Sequence, residues 1–172
     1  MITNQGHGEI RAGRRLGEKG FSLIELLIVV AIILIIAAIA IPNLLKAKMA
    51  ANEASAVSSI HAINTAEIAY SSAFPSIGYS AALADLGPGP GNCSNTPTAS
   101  CYIDAALASG TKSGYTYLYV QDTSVTPSLG YSLNVDPLTP GVTGQRHFYS
   151  DQNNVTHYTL TGTATSTDSA LQ

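Results

Sequence analysis

The apolar run from Phe21 to Ile41 contains one charged side chain, Glu25, and no other feature of the chain constrains its fold as strongly. At ~1.5 Å per residue a helix of that length reaches about 30 Å, enough to cross the hydrocarbon layer of a bilayer. A carboxylate in such a run costs roughly 2.5–3.5 kcal/mol at the helix centre and less toward an end, so it calls for a partner. If the chain is cut after Gly20, the new amine of Phe21 carries a positive charge one helical turn from Glu25. That amine is a partner within one chain or between two.

Charge is distributed unevenly on either side of this junction. Residues 1–20 hold Arg11, Arg14, Arg15 and Lys19 against Glu9 and Glu18, while the remainder holds four basic side chains against nine acidic ones. A basic head before an apolar run predicts that the head stays in the cytoplasm and the rest crosses the membrane. The acidic remainder has no basic surface for tracking phosphates, and no nucleic-acid partner is expected. An ordinary secretory signal has a shorter apolar core and is cut after it. Here the candidate cut precedes the core. A length of 172 residues suits one domain plus a targeting segment.

Gly20-Phe21-Ser22-Leu23-Ile24-Glu25-Leu26-Leu27-Ile28-Val29-Val30-Ala31-Ile32, continued through Ile39-Ala40-Ile41-Pro42, resembles the processing and transmembrane signature of the type IV pilin superfamily. The superfamily includes type IV pilins and the pseudopilins of type II secretion. The resemblance implies cleavage between Gly20 and Phe21 by a prepilin peptidase, N-methylation of Phe21, and a charge pairing of Glu25 with Phe21 during assembly. Many members carry glycine where this chain has Leu34. The implied fold is α+β, with one long N-terminal helix, half in the membrane and half amphipathic, packed on an antiparallel sheet.

Residue by residue, the chain divides into a cytoplasmic leader (1–20, removed), a transmembrane and assembly helix (21–42) and an amphipathic half-helix (43–74). Pro42 is the expected kink, because proline removes a backbone donor and crowds the preceding turn. Ala56, Val57, Ile60, Ile63, Ala66, Tyr70 and Phe74 recur at three- and four-residue steps, one face for a sheet. Lys46, Lys48, Asn52, Glu53, Ser59 and Glu67 are read as falling mostly elsewhere around the helix. Residues 75–113, with Gly87-Pro88-Gly89-Pro90-Gly91 at their centre, read as a long irregular connection with a short helix near Ala81–Leu86. Residues 114–160 read as a sheet of about four strands. In it Tyr115, Tyr117 and Tyr119 share a face, and a hairpin pairs Ser150 with Val155. Residues 161–172 read as a polar tail.

Few residues suggest other chemistry. Cys93 and Cys101 are the only cysteines, and if the head lies outside the cytoplasm a disulfide is expected between them, two free thiols being the alternative. His7 lies in the leader and His61 on the helix. The expected hairpin register turns His147 and His157 to opposite faces, so no shared metal is assigned. Asp122, Asp136, Asp151 and Asn153 fall near turns, in a region where some pseudopilins bind calcium. Without a recognisable loop spacing they read as exposed turn residues, and calcium is the one ion left open; no cofactor is assigned. Thr111-Lys112-Ser113 lacks the glycine of a phosphate loop, and no serine sits in a nucleophile elbow. No catalytic residue is assigned, and the chain reads as a structural subunit rather than an enzyme.

The leading expectation is a type IV pilus filament subunit, a homo-oligomer assembled from the inner membrane by a prepilin peptidase, an assembly platform and an ATPase. It would be single-pass with a cytoplasmic N-terminus, then part of a cell-surface or periplasmic filament. The alternatives are a type II secretion pseudopilin forming a periplasmic piston, and a minor pilin acting in adhesion or DNA uptake.

Overall fold

The computed structural model describes residues 20–89 and 93–171. Two compact units divide between Ala40 and Ile41. Helix α1, Leu23–Ala73, contributes to both, and Pro42 lies inside it. In the first unit the side chains of α1 are almost all exposed, from Leu23 to Ile39.

The second unit is built around the remainder of α1. Ala56, Ile60, Ile63, Ala66 and Tyr70 are buried on one face, with Val57 and Phe74 partly covered beside them. Burying an isoleucine fully is worth about 1.5–3 kcal/mol, so Ile60 and Ile63 are principal anchors. Glu67 and Ser59, expected away from this face, are buried as well. Glu67 lies four residues after Ile63 and three before Tyr70, and that spacing puts it on the buried stripe whatever its polarity.

Among the described residues six antiparallel strands follow in chain order: β1 Thr111–Lys112, β2 Tyr115–Gln121, β3 Tyr131–Pro137, β4 His147–Asp151, β5 His157–Thr159 and β6 Ser169–Ala170. The two extra strands are two-residue edge strands at either end of the expected four. Alternation places Tyr115, Tyr117, Leu133, Val135 and Phe148 in the core with the helix, while Leu118 and Val120 point outward. Polar contacts also hold the helix to the sheet loops: Asn52 Nδ2 donates to Thr143 O at 2.8 Å, and Glu53 accepts from the Gln145 amide at 2.8 Å.

The expected register of the last hairpin is corrected. Phe148 pairs with Tyr158 and Tyr149 with His157, one residue away from the predicted alignment. A one-residue slip exchanges the faces of every side chain on a strand. His147 and His157 therefore share the outer face.

The connection between helix and sheet is more ordered than its composition suggests. It holds a 3-10 turn at Leu83–Leu86 and a short helix α2, Ala105–Ala108, capped by the Asp104 side chain accepting from the Leu107 amide. Leu83, Leu86, Ile103 and Leu107 reach into the core and seat this connection against the helix and sheet. At Gly78, with φ of +83°, an added Cβ would collide with the Ser128 backbone, so close chain approach demands glycine there. The polar tail also folds back. Ala164 is buried and its carbonyl accepts from Asn134, while the Leu171 amide donates to Thr156 O.

Candidate processing and assembly site

Gly20, Phe21 and Ser22 precede the first turn of α1 in non-helical conformation. Phe21 is 90% exposed, and a Cβ built on Gly20 would meet nothing within 4 Å. The candidate scissile bond is thus in open chain. Leu26 N donates to Ser22 O at 3.2 Å, which makes Ser22 the residue that starts the helix.

Glu25 folds back over this start. The Ser22 backbone N–H donates to Glu25 Oε2 at 2.9 Å. Serine at the cap with glutamate three residues on is the sequence pattern of a capping box, and a carboxylate there also faces the positive end of the helix dipole. Ser22 was not singled out from the sequence, although Ser22-x-x-Glu25 immediately before an apolar run is a readable signal. Beyond it, Leu23, Ile24, Leu26, Leu27, Ile28 and the aliphatic residues on to Ile41 are exposed on every side of the helix. This is the one helix among the described residues long and apolar enough to cross a membrane.

Cys93 and Cys101 are joined as a disulfide with Cα atoms 5.4 Å apart and a sequence separation of 8. The Tyr70 hydroxyl donates to Pro97 O at 2.8 Å inside that loop, tying it to the helix. The acidic turn residues are engaged locally: Asp122 accepts from the Ser124 amide and Asp151 from the Asn153 amide, each at 2.9 Å. Asp136 instead bonds His147. Among the described residues no three His, Cys, Asp or Glu side chains gather as a metal-binding set.

A second polar cluster is internal. Glu67 accepts from both the amide and the hydroxyl of Ser80, and the Tyr119 hydroxyl donates to Ser80 O at 3.0 Å. Burial pushes the Glu67 carboxyl above the ordinary carboxylate range, against the opposing effect of the Ser80 hydrogen bonds. One turn earlier, Asn64 accepts from the Tyr131 hydroxyl at 2.8 Å and donates to Ser150 at 2.9 Å. Burial raises the phenol of Tyr131 in turn. These groups bind the helix to the sheet and to the loop that carries Ser80.

An uncovered apolar helix opening on a capped glutamate, followed in sequence by an α+β head, defines a chain whose N-terminal helix is long and apolar enough to cross a membrane. Residues 15–41 match the family described as the prokaryotic N-terminal methylation motif. The chain is 69% identical over 35 residues to the type IV wide pilus major component PilA4 of Thermus thermophilus. That match covers 20% of this chain and 27% of the relative. It is 50% identical over 50 residues to the type IV major pilin protein PilA of Myxococcus xanthus, covering 29% of this chain and 23% of the relative. Motif and relatives together show that the N-terminal segment of the chain is similar to that of type IV pilins. The chain spans about a quarter of the length of each relative. No solved structure matches.

Proposed function

We propose that this chain is the structural subunit of a type IV pilus filament. The observation that carries the reading is Glu25, the one carboxylate in the apolar, uncovered run from Phe21 to Ile41, one turn from the Gly20–Phe21 junction. In the uncut chain its carboxylate already holds the Ser22 amide, so it enters an apolar layer partly satisfied. Cleavage after Gly20 creates a cationic amine on Phe21, and N-methylation preserves that charge. Helices leaving the inner membrane then exchange lipid contacts for one another, and Glu25 of one copy meets the Phe21 amine of the next. A charge pair in low dielectric depends steeply on distance, so it sets axial register while offsetting desolvation.

The partners implied are further copies of the chain, the inner membrane, a prepilin peptidase, an assembly platform and an ATPase. The subunit begins as a single-pass membrane protein with its N-terminus in the cytoplasm and ends in a surface filament. Its role is structural, not enzymatic. Electron microscopy of sheared cell-surface material, with mass spectrometry of the subunit, tests the reading. Filaments built of a subunit lacking residues 1–20 are expected. A monomer retaining those residues overturns it.

A further inference from the structure

The corrected register of the last hairpin brings together two side chains that the sequence had set apart. His147 pairs with Thr159 and Tyr149 with His157, so His147 and His157 occupy diagonal positions on the outer face of β4 and β5. Diagonal neighbours on antiparallel strands lie about 7–8 Å apart, within reach of long or aromatic side chains. The hydrogen bonds of the two rings are arranged alike. His147 Nδ1 is 2.6 Å from Asp136 Oδ1, and His157 Nδ1 is 2.8 Å from Asp168 O.

Those partners determine both tautomer and aim. A carbonyl oxygen only accepts, so Nδ1 of His157 carries the hydrogen, and the neutral ring keeps its lone pair on Nε2. An ionised Asp136 requires the same of His147. Asp136 sits on β3, flanking β4 on the side away from β5; Asp168 immediately precedes β6, which flanks β5 on the side away from β4. Each Nδ1 is therefore engaged on the side of its strand away from the other histidine, which leaves Nε2 as the nitrogen free to bind. Among the described residues neither Nε2 has a hydrogen-bond partner. Imidazoles that ligate metals are held in this way, with the remote N–H donated to a carboxylate or backbone carbonyl.

We propose that His147 and His157 form a two-imidazole site for a divalent transition cation of the Zn²⁺ or Ni²⁺ class, with water completing the coordination. Imidazole nitrogen selects such ions over calcium. With no third His, Cys, Asp or Glu gathered among the described residues, the site leaves open positions. Asp136 and Asp168 act as positioning residues, one through its carboxylate and the other through its main chain.

The test is calorimetric titration of Zn²⁺ into the full chain in detergent micelles, in a background of His7→Gln and His61→Gln that leaves two histidines. One ion per chain is expected. His147→Gln and His157→Gln should each weaken binding at least about tenfold. Asp136→Asn retains both imidazoles but replaces an acceptor-only carboxylate with a neutral amide that can present its NH₂ to Nδ1, which weakens the hold on the Nδ1–H tautomer. It should weaken binding by about 10- to 100-fold with the circular dichroism spectrum unchanged. Absence of uptake by the two-histidine background, or equal uptake by the variant lacking both histidines, overturns the proposal. Unchanged affinity in Asp136→Asn overturns the positioning role.

Discussion

Replacing Glu67 with glutamine preserves the shape of a fully buried side chain and removes its ionisation. The carboxylate accepts from the Ser80 amide at 3.0 Å and from the Ser80 hydroxyl. Glutamine can keep both contacts, its carbonyl taking the amide and its own NH₂ donating to Ser80 Oγ. The two side chains should thus be equivalent, within about 1 kcal/mol, when Glu67 is protonated. The titratable groups around it are Tyr70 and Tyr79, Tyr119 of β2, Tyr131 of β3, and Asp85, whose negative charge adds to the effect of burial. The folded-state pKa is raised above the ordinary value of 4.5. Between the unfolded and folded pKa values the native chain therefore holds a proton that the unfolded chain has lost. Stability falls as pH rises through that window, by the linkage relation. Relative to Glu67→Gln, which is flat for this group, wild-type stability should be lower at a neutral than at an acidic measuring pH. Glu67→Ala orphans the Ser80 donors and opens a cavity, a loss of about 2–4 kcal/mol at both pH values. Denaturant melts followed by tyrosine fluorescence suit a chain with nine tyrosines and no tryptophan. A Glu67→Gln to wild-type difference that is the same at both pH values would refute the reasoning.

Other perturbations address processing, assembly and the disulfide. Gly20→Ile should block removal of residues 1–20 without altering the fold, since a side chain there meets nothing within 4 Å; a subunit mass lacking the leader contradicts this. Glu25→Ala should leave cleavage largely intact but impair polymerisation, scored as filaments recovered by shearing, and abundant normal filaments would remove the register role. Cys101→Ser should lower stability by about 2–3 kcal/mol through loss of a closed loop. The oxidised and reduced wild-type chain, melted side by side, should show a matching gap.

Local pattern carried much of the fold. Ala56, Ile60, Ile63, Ala66 and Tyr70 announce their buried face because helical spacing is a property of neighbouring residues. Tyr115, Tyr117 and Leu133 likewise declare the inner face of the sheet by alternation. Glu67 is polar, yet three- and four-residue steps from Ile63 and to Tyr70 put it on the buried stripe, so position overrides polarity there. The Ser22–Glu25 cap is legible in sequence as a capping box, because serine and glutamate stand three residues apart just before the apolar run. Leu83, Leu86, Ile103 and Leu107 gave no sign of reaching the core, because Gly- and Pro-rich connections carry no period from which to infer burial.

The sequence by itself determined a membrane-length helix with one carboxylate near its start and an apolar stripe beyond Pro42, since both follow from composition and short-range spacing. Only the tertiary structure decided that 161–171 closes onto the sheet, that Ser80 satisfies Glu67, and that His147 and His157 share a face. Each of those depends on pairing between distant segments. A shift of a single residue in such a pairing turns the side chains of a whole strand to the other side.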